Sequence, residues 1–134
     1  MAKDPVAVPK KPLIYLASPY TRGDPALNTH FQCLVFDRLL TDGIITPFMP
    51  LWSHFQHMIK PRPYQDWIDY DLEVLHHCDG LIRLEARVTQ LSRGVFYRQY
   101  ESPGADGEVD FMKQLGKPVF TSVEDCYEYF QRKT

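Results

Sequence analysis

Short apolar segments alternate with amphipathic helical segments along this chain, and this alternation restricts the possible folds more than any other feature. Apolar runs predict β-strands at 13–18, 43–48, 78–84 and 118–121. Apolar residues at helical spacing predict helices at about 27–39, 65–77 and 108–115, and a last helix from Ser122 or Glu124. Strands that are separated by helices form βαβ units, in which the strands pair in parallel.

The predicted fold is therefore α/β, a three-layer α/β/α sandwich around a parallel, flavodoxin-like or Rossmann-like sheet of four to five strands. Small ligands bind such folds beyond the carboxyl ends of the strands, near the point where the strand order reverses. The loops expected to end there are 18–23, 47–54 and 102–108. The sequence has neither the glycine-rich dinucleotide fingerprint nor a P-loop motif, so those two kinds of site lack their main support.

Two stretches do not match a simple strand or helix pattern. Residues 49–64 contain three prolines among tryptophan, phenylalanine and histidine residues, which predicts a loop that covers part of the molecule. Residues 85–101 contain arginine and aromatic residues without a clean period. We predict a long excursion for that stretch, with room for a helical turn.

Length, charge and cysteine spacing indicate a single domain over 1–134 that binds a small molecule. The 134 residues can bury a core without disulfides, and 15 basic against 17 acidic residues give no reason to expect nucleic acid polymers as partners. Residues 1–12 carry charges and three prolines, which predicts a flexible segment and neither a signal peptide nor a membrane span. The three cysteines lack metal-ligand spacing, so we expect a reducing, cytoplasmic location and no metal or other cofactor.

Glu108 is the charged residue whose position is hardest to explain by folding alone. Phe111, Met112 and Leu115 follow it at helical spacing, so it shares the apolar face of a helix that we predict to begin there, after the turn at Ser102. A carboxylate on a buried face loses hydration unless something compensates for it. Active-site acids often occupy such positions, and a helix N-terminus favours their ionised form. The alternative is a first-turn glutamate that only caps the helix.

Asp71 has a similar position on the preceding helix, because it shares the inward apolar face while Asp69 lies on the solvated face. Two acids in one cavity can cleave a glycosidic bond, since one attacks the anomeric carbon and the other moves a proton to and from the leaving group. We expect Glu108 to be the anion and Asp71 the proton carrier. The alternative is that both acids form buried salt bridges with arginines, namely Arg22, Arg83 or Arg87.

Three motifs in register resemble the nucleoside 2-deoxyribosyltransferase-like family, which includes N-glycosidases that hydrolyse nucleoside 5′-monophosphates. They are Y-L-A-S-P-Y at 15–20, D-L-x-x-L-x-x-x-D at 71–79, and S-x-G-x-x-x-E at 102–108 followed by L-G-K-P. Together they span most of the chain in the family's order. The resemblance implies that Glu108 is the nucleophile that takes the sugar, that Asp71 handles the proton at the base, and that Tyr15 positions the nucleophile.

The resemblance also implies a nucleotide substrate, because Ser102 stands where family members that act on free nucleosides tend to have an acid. A hydroxyl and the amides near Gly104 at a helix N-terminus suit a phosphate. Ser18 and Arg22 are further phosphate candidates, and His54 is a candidate contact for the base or sugar, with ordinary solvated residues as the alternative. Small members of the family usually self-associate, which implies a homodimer or a larger homo-oligomer.

The preferred hypothesis is hydrolysis of a nucleoside 5′-monophosphate or a (deoxy)nucleoside through a glycosyl intermediate on Glu108. Transfer of the sugar to a second base is an alternative. Family transferases can borrow a C-terminal residue from a neighbouring subunit to hold the nucleoside. We do not expect the short segment after the fourth strand to supply that residue, which favours water as the acceptor. A nucleotide-binding or sensing module without turnover is an alternative of another class, and a flavodoxin-like flavin protein is a third.

Overall fold

The computed structural model describes residues 4–90 and 94–132. The strands are β1 (Leu13–Ala17), β2 (Thr46–Phe48), β3 (Gly80–Arg83), β4 (Ala86–Gln90), β5 (Gly94–Gln99) and β6 (Val119–Phe120). The α-helices are α1 (Pro25–Asp42), α2 (Ser53–Ile59), α3 (Tyr64–Leu75), α4 (Pro103–Gln114) and α5 (Val123–Arg132). Short 3₁₀ helices form at Pro5–Ala7 and Pro50–Trp52. Across these two ranges, every helix is too short or too polar to cross a membrane.

The four predicted strands form one parallel sheet in the order β2-β1-β3-β6. Helices α1 and α5 pack on one face of this sheet, and α3 and α4 pack on the other. The predicted three-layer α/β/α fold is therefore confirmed. The strand order reverses at β1, since β2 lies on one side of it and β3 and β6 lie on the other, so a ligand is expected beyond the carboxyl ends of β1 and β3.

Strand β1 divides the core into two layers, because successive side chains of a strand point to opposite faces. Ile14 and Leu16 belong to the apolar cluster beneath α1 and α5. Tyr15 and Ala17 belong to the cluster beneath α3 and α4. Tyr15 is fully buried, and its placement on the α3–α4 face brings a phenolic hydroxyl among the side chains of those two helices.

Helix α1 has clear start and stop signals but an unusually polar buried face. Asp24 caps its N-terminus by accepting from the backbone N–H groups of the second and third helical residues, and Gly43 ends it with φ = 67°. Asn28, Thr29 and Gln32 are buried on the inner side of the helix. A hydrophobic pattern does not mark these positions as buried, because their side chains are polar. Asn28 and Gln32 bind backbone groups of other segments, and Thr29 donates to the Pro25 carbonyl oxygen of the same helix (2.8 Å).

Helix α4 begins at Pro103, so the predicted start at Glu108 is wrong. Ser102 is the N-cap residue, and its Oγ accepts from the Ala105 N–H (3.1 Å). Proline at the first helical position has no N–H to leave unpaired and already has a helical φ. The Ser-Pro-Gly sequence is therefore the start of the helix rather than a turn before it, and Glu108 lies in the second helical turn.

Two further predictions are wrong. Residues 49–64 contain the second 3₁₀ helix and α2 instead of a loop, because Pro50 is the first residue of the 3₁₀ helix and the other two prolines lie between α2 and α3. Residues 85–101 contain an antiparallel pair, β4 and β5, whose connecting residues 91–93 lie outside the described ranges. This hairpin packs on α1 rather than joining the main sheet, and burial alternates along β5. The sequence hides this period because the outward-facing residue between Val95 and Tyr97 is the exposed Phe96.

The hairpin holds the loop that follows β1. The Tyr97 hydroxyl donates to Asn28 Oδ1 (2.8 Å) and accepts from the Asp24 N–H (2.8 Å). The Asn28 amide then donates to the carbonyl oxygens of Tyr20 (2.9 Å) and Arg22 (2.8 Å). Loop 18–24 is thereby fixed from both sides, by α1 and by the hairpin.

Replacing Tyr97 by Phe should lower the free energy of unfolding by about 1–2 kcal/mol, because the buried Asn28 Oδ1 and the Asp24 N–H both lose their partner. Urea unfolding monitored by circular dichroism measures the effect. Tyr100→Phe is the matched control, since the Tyr100 ring is exposed on the same hairpin, and it should change stability by less than about 0.5 kcal/mol. Equal effects in the two variants would contradict the proposed role of Tyr97.

Candidate active site

A cavity of about 710 Å³ opens beyond the carboxyl end of β1, between α3 and the first half of α4. Its size is within the range that holds small-molecule ligands. The loop after β1, the 3₁₀ helix at Pro50–Trp52 and the α2–α3 segment complete the wall. A second, more open cavity of about 580 Å³ lies at the amino-terminal ends of the strands near Lys10, Asp79 and Phe130, and it is lined by a single acid. The first cavity is therefore the better candidate for chemistry.

Tyr15 and Glu108 form a direct hydrogen bond at the base of this cavity. The Tyr15 hydroxyl donates to Glu108 Oε2, which joins the first strand to α4 across 93 residues of sequence. Burial, followed by the charge of Glu108, raises the pKa of Tyr15 well above its ordinary value. The hydroxyl consequently keeps its proton and acts as a fixed donor to the carboxyl group of Glu108.

Asp71 lines the same cavity from α3. Its Oδ1 atom is buried and has no hydrogen-bond partner among the described residues. Burial raises the pKa of Asp71 to about 7, with the Tyr15 hydroxyl acting in the opposite direction. An unpartnered buried carboxyl oxygen is costly unless the group is protonated or a ligand supplies the missing partner.

Burial also raises the pKa of Glu108, to about 8, and the charge of Asp71 adds to the increase. The hydrogen bond from Tyr15 and the more distant charge of Arg83 lower it. The expected assistance from a helix N-terminus is absent, because α4 begins five residues before Glu108. The free protein therefore does not show the predicted separation into an ionised Glu108 and a protonated Asp71, because burial raises both pKa values and Glu108 is not the more acidic group.

Two of the three arginines that could have neutralised these acids bind elsewhere. Arg83 pairs with Asp106 (3.2 Å), and Arg22 pairs with Glu101 at the surface (3.7 Å). In residues 4–90 and 94–132, no ion pair includes Asp71 or Glu108. Two buried salt bridges, the alternative that the sequence left open, are thus not what the structure shows. The two acids face one cavity without a basic partner.

Ser102 and Gly104 stand at the cavity wall where α4 begins. The Ser102 hydroxyl accepts from Ala105, and the Ser102 carbonyl oxygen accepts from the Asp106 N–H (2.9 Å). Pro103 has no N–H, so the Gly104 N–H is the group in the first helical turn that remains without a helical acceptor. The Ser102 proton and the Gly104 N–H are therefore both available to an anion at the positive end of the helix.

Ser18 also lines the cavity and is held there by Gln32 of α1. The Gln32 amide nitrogen donates to Ser18 Oγ (2.7 Å) and to the Leu16 carbonyl oxygen (3.1 Å). Its amide oxygen accepts from the Leu51 N–H (2.9 Å). One fully buried side chain thus ties the loop after β1 to the 3₁₀ helix after β2. The sequence pattern gave no signal for this role, because glutamine in a helix is usually exposed.

Arg22 and His54 do not line the cavity. Arg22 is exposed beside Glu101, on the outer side of loop 18–24. The His54 Nδ1 atom is bonded to the Tyr20 hydroxyl (2.8 Å), and Tyr20 lines the cavity in its place. Of the eight candidate residues, the structure brings together six at one cavity: Tyr15, Ser18, Asp71, Ser102, Gly104 and Glu108.

The α2–α3 segment forms a part of the cavity wall that the sequence did not indicate. That wall carries His57, Arg62, Tyr64 and Trp67, from the end of α2 through the first turn of α3. The density of aromatic residues and prolines in 49–64 did indicate a covering segment, but not which side chains face inward. Arg62 pairs with Asp66 (3.1 Å) and still borders the cavity.

Arg83 is a positioning residue rather than a partner of the two cavity acids. It is 7% exposed and donates to the carbonyl oxygens of Leu84 (2.7 Å) and Tyr100 (2.6 Å) as well as to the Asp106 carboxylate. These bonds fix the segment that leads from the hairpin into α4. The position of Ser102 and Gly104 relative to the end of β3 therefore depends on Arg83.

The described residues contain no group of three or more His, Cys, Asp or Glu side chains that could hold a metal ion. No protein-family model matches this chain, and a search of curated proteins finds no match either.

Proposed function

We propose that this protein cleaves the N-glycosidic bond of a nucleoside 5′-monophosphate or a (deoxy)nucleoside through a covalent glycosyl intermediate on Glu108, with hydrolysis favoured over base transfer. One observation carries the proposal: Asp71 and Glu108 face the same cavity, neither pairs with a base, and Tyr15 donates to Glu108. Two carboxyl groups in one cavity are the groups that retaining glycosidic cleavage requires. The motif resemblance to the nucleoside 2-deoxyribosyltransferase-like family supports the same reaction.

In the first step, a carboxylate oxygen of Glu108 attacks the anomeric carbon as the bond from that carbon to the base nitrogen breaks. The bonding pair goes to the base, and the Asp71 carboxylic acid supplies the proton that the departing base needs. Tyr15 keeps one oxygen of Glu108 hydrogen-bonded, so that the other oxygen faces the sugar. In the second step, the Asp71 carboxylate removes a proton from water, and the resulting hydroxide displaces Glu108 from the sugar.

The raised pKa values leave one proton for the two acids to share near neutral pH, and the division of roles requires that proton to be on Asp71 when the substrate is bound. With Asp71 at about 7 and Glu108 at about 8, the pair holds one proton over that interval. The reactive form has the proton on Asp71. Positive charge that develops on the sugar lies next to Glu108 in the transition state and favours the ionised form of that residue.

The N-terminus of α4 is the part of the cavity best suited to a phosphate. Ser102 and Gly104 line the cavity together at the positive end of the α4 dipole, where a carboxylate in place of Ser102 would repel an anion. Ser18 lies in the same cavity. These contacts support a nucleoside 5′-monophosphate as the substrate class.

The direct experiment is to incubate the protein with a panel of nucleosides and their 5′-monophosphates and to look for free base by chromatography. The proposal predicts free base together with sugar phosphate from at least one monophosphate. A second free base added to the reaction distinguishes transfer, which gives an exchanged nucleotide, from hydrolysis. Tight binding of nucleotides without any base release would instead support a sensing module and contradict the proposal.

The rate of base release should depend on pH with a bell-shaped profile whose limbs come from the Asp71–Glu108 pair. When both acids are protonated, the nucleophile is lost, so kcat/KM should rise with pH through about 7. When both are ionised, the proton donor is lost, so kcat/KM should fall through about 8. Activity that stays constant between about pH 5 and about pH 10 would exclude this pair as the catalytic acid and nucleophile.

A further inference from the structure

The cavity wall formed by α2 and α3 carries a histidine whose hydrogen bonds fix which of its nitrogens holds the proton. The His57 Nδ1 atom accepts from the Trp67 Nε1–H (3.0 Å) and from the Arg62 backbone N–H (3.2 Å). Both donors share the single lone pair of Nδ1, so that nitrogen cannot carry a proton. In the neutral imidazole the proton is therefore on Nε2.

Nε2 is the polar atom of His57 that remains for a ligand. Across the described ranges, no protein group forms a hydrogen bond with it, and the ring borders the cavity. The ring is held in place by two donors and by an edge-to-face contact with Trp67. The ring thus borders the cavity in a fixed orientation, with Nε2 as its free N–H donor.

The position of this donor relative to a substrate follows from the proposed function, on which the inference rests. If Glu108 takes the sugar and the start of α4 holds the phosphate, the base lies toward α3, where Asp71 can protonate it. Trp67 precedes Asp71 by one helical turn on the same face of α3, and Trp67 is bonded to His57. The outer edge of a base that extends from Asp71 along this wall is directed toward His57.

We infer that His57 is a specificity-determining residue that selects nucleotides whose base carries an exocyclic oxygen. Exocyclic groups project furthest from the ring, so they are the first atoms of the base to meet a side chain on the wall. An oxo group accepts the Nε2–H. An amino group at the same place brings two donors together and leaves both unpaired, which is the arrangement that polar sites reject most strongly.

Binding measurements on the Glu108→Gln variant test this inference without turnover. Inosine and adenosine 5′-monophosphates are a matched pair that differ at the exocyclic oxygen or amino group and the neighbouring ring nitrogen. We expect the inosine nucleotide to bind at least about 10-fold more tightly, which is the value of one hydrogen bond of about 1.4 kcal/mol. His57→Phe, made in the same background, should bring the two dissociation constants to within about 2-fold of each other.

Two further variants separate selection from a merely structural role. His57→Gln keeps an oxygen that can accept from Trp67 and an amide that can donate to the ligand, so it should retain most of the preference for the oxo base. His30→Phe removes an exposed histidine of α1 that does not line the cavity, and it should leave the ratio of dissociation constants unchanged.

The inference is overturned if the starting protein binds both nucleotides equally, if it prefers the amino base, or if His57→Phe leaves the ratio as it was. The inference is also overturned if neither nucleotide binds. Failure of the proposed chemistry is a separate result. Wild-type protein that prefers the oxo base in binding but releases no base would support the role of His57 and contradict the proposed reaction.

Discussion

Replacing Glu108 by Gln should abolish base release while leaving the fold intact. An amide is not a nucleophile toward the anomeric carbon, but its oxygen can still accept from the Tyr15 hydroxyl, so the contact between β1 and α4 is retained. Removal of a catalytic nucleophile typically costs at least about 10⁴-fold in kcat. Chromatographic measurement of free base over long incubations tests the loss, and circular dichroism tests the fold.

The matched control for this variant is Asp110→Asn, two residues further along α4. Asp110 is exposed and lies outside the cavity, so its replacement should leave kcat within about 2-fold of wild type. A Glu108→Gln protein that turns over at the wild-type rate would eliminate Glu108 as the nucleophile.

Replacing Glu108 by Gln should also change the free energy of unfolding in a pH-dependent manner. The pKa of Glu108 rises from 4.5 to about 8 on folding, so between these values the folded state retains a proton that the unfolded chain has lost. The stability associated with this proton is complete below about pH 4 and disappears as the pH rises through about 8. A neutral amide side chain has no such loss, and at about pH 9 the Glu108→Gln variant should be more stable than wild type by on the order of 2 kcal/mol, measured by urea unfolding.

Replacing Asp71 by Asn should produce the second large loss of activity. Asn cannot donate a proton to the departing base or accept one from water, and loss of a general acid–base group costs about 10²- to 10⁴-fold. The effect should be smallest for substrates whose base leaves readily without protonation, because those substrates need the proton least. Initial rates for a series of bases with different leaving ability measure this dependence.

Asp69→Asn is the control on the same helix. Asp69 is exposed and bonded to Gln65 (2.8 Å), on the side of α3 away from the cavity, so its replacement should not change the rate. A uniform reduction of rate for good and poor leaving groups in Asp71→Asn would assign Asp71 a role in binding rather than in proton transfer.

The fold and the two central acids could be predicted from the sequence because both depend on local patterns. Alternating apolar strands and helices required βαβ units, and the helical period placed Asp71 and Glu108 on inward faces. The hydrogen bond from Tyr15 to Glu108 followed only from the motif resemblance, since no local pattern relates residues 93 positions apart. The structure now places that contact in the same cavity as Asp71.

The rest of the site depends on tertiary contacts that local patterns do not contain. Gln32 and Asn28 are buried because carbonyl oxygens of β1 and of the loop that follows it need donors, and a hydrophobic period cannot indicate such a need. His57 reaches the cavity because α2 forms where the prolines suggested a loop, and Arg62 lies in the segment that connects α2 to α3. The start of α4 was misplaced because the Ser-Pro-Gly sequence that caps a helix also resembles a turn.

The central claim is that the sugar becomes covalently attached to Glu108 in a cavity shared with Asp71. Its most direct test uses a nucleoside 5′-monophosphate with fluorine at the 2′ carbon, which destabilises the oxocarbenium-like transition states of both steps and lets the intermediate accumulate. Acid quenching, intact-mass spectrometry and peptide mapping should then show one sugar phosphate on the peptide that contains Glu108, and none in Glu108→Gln. Release of base with no adduct, or with the adduct on another residue, would contradict the account.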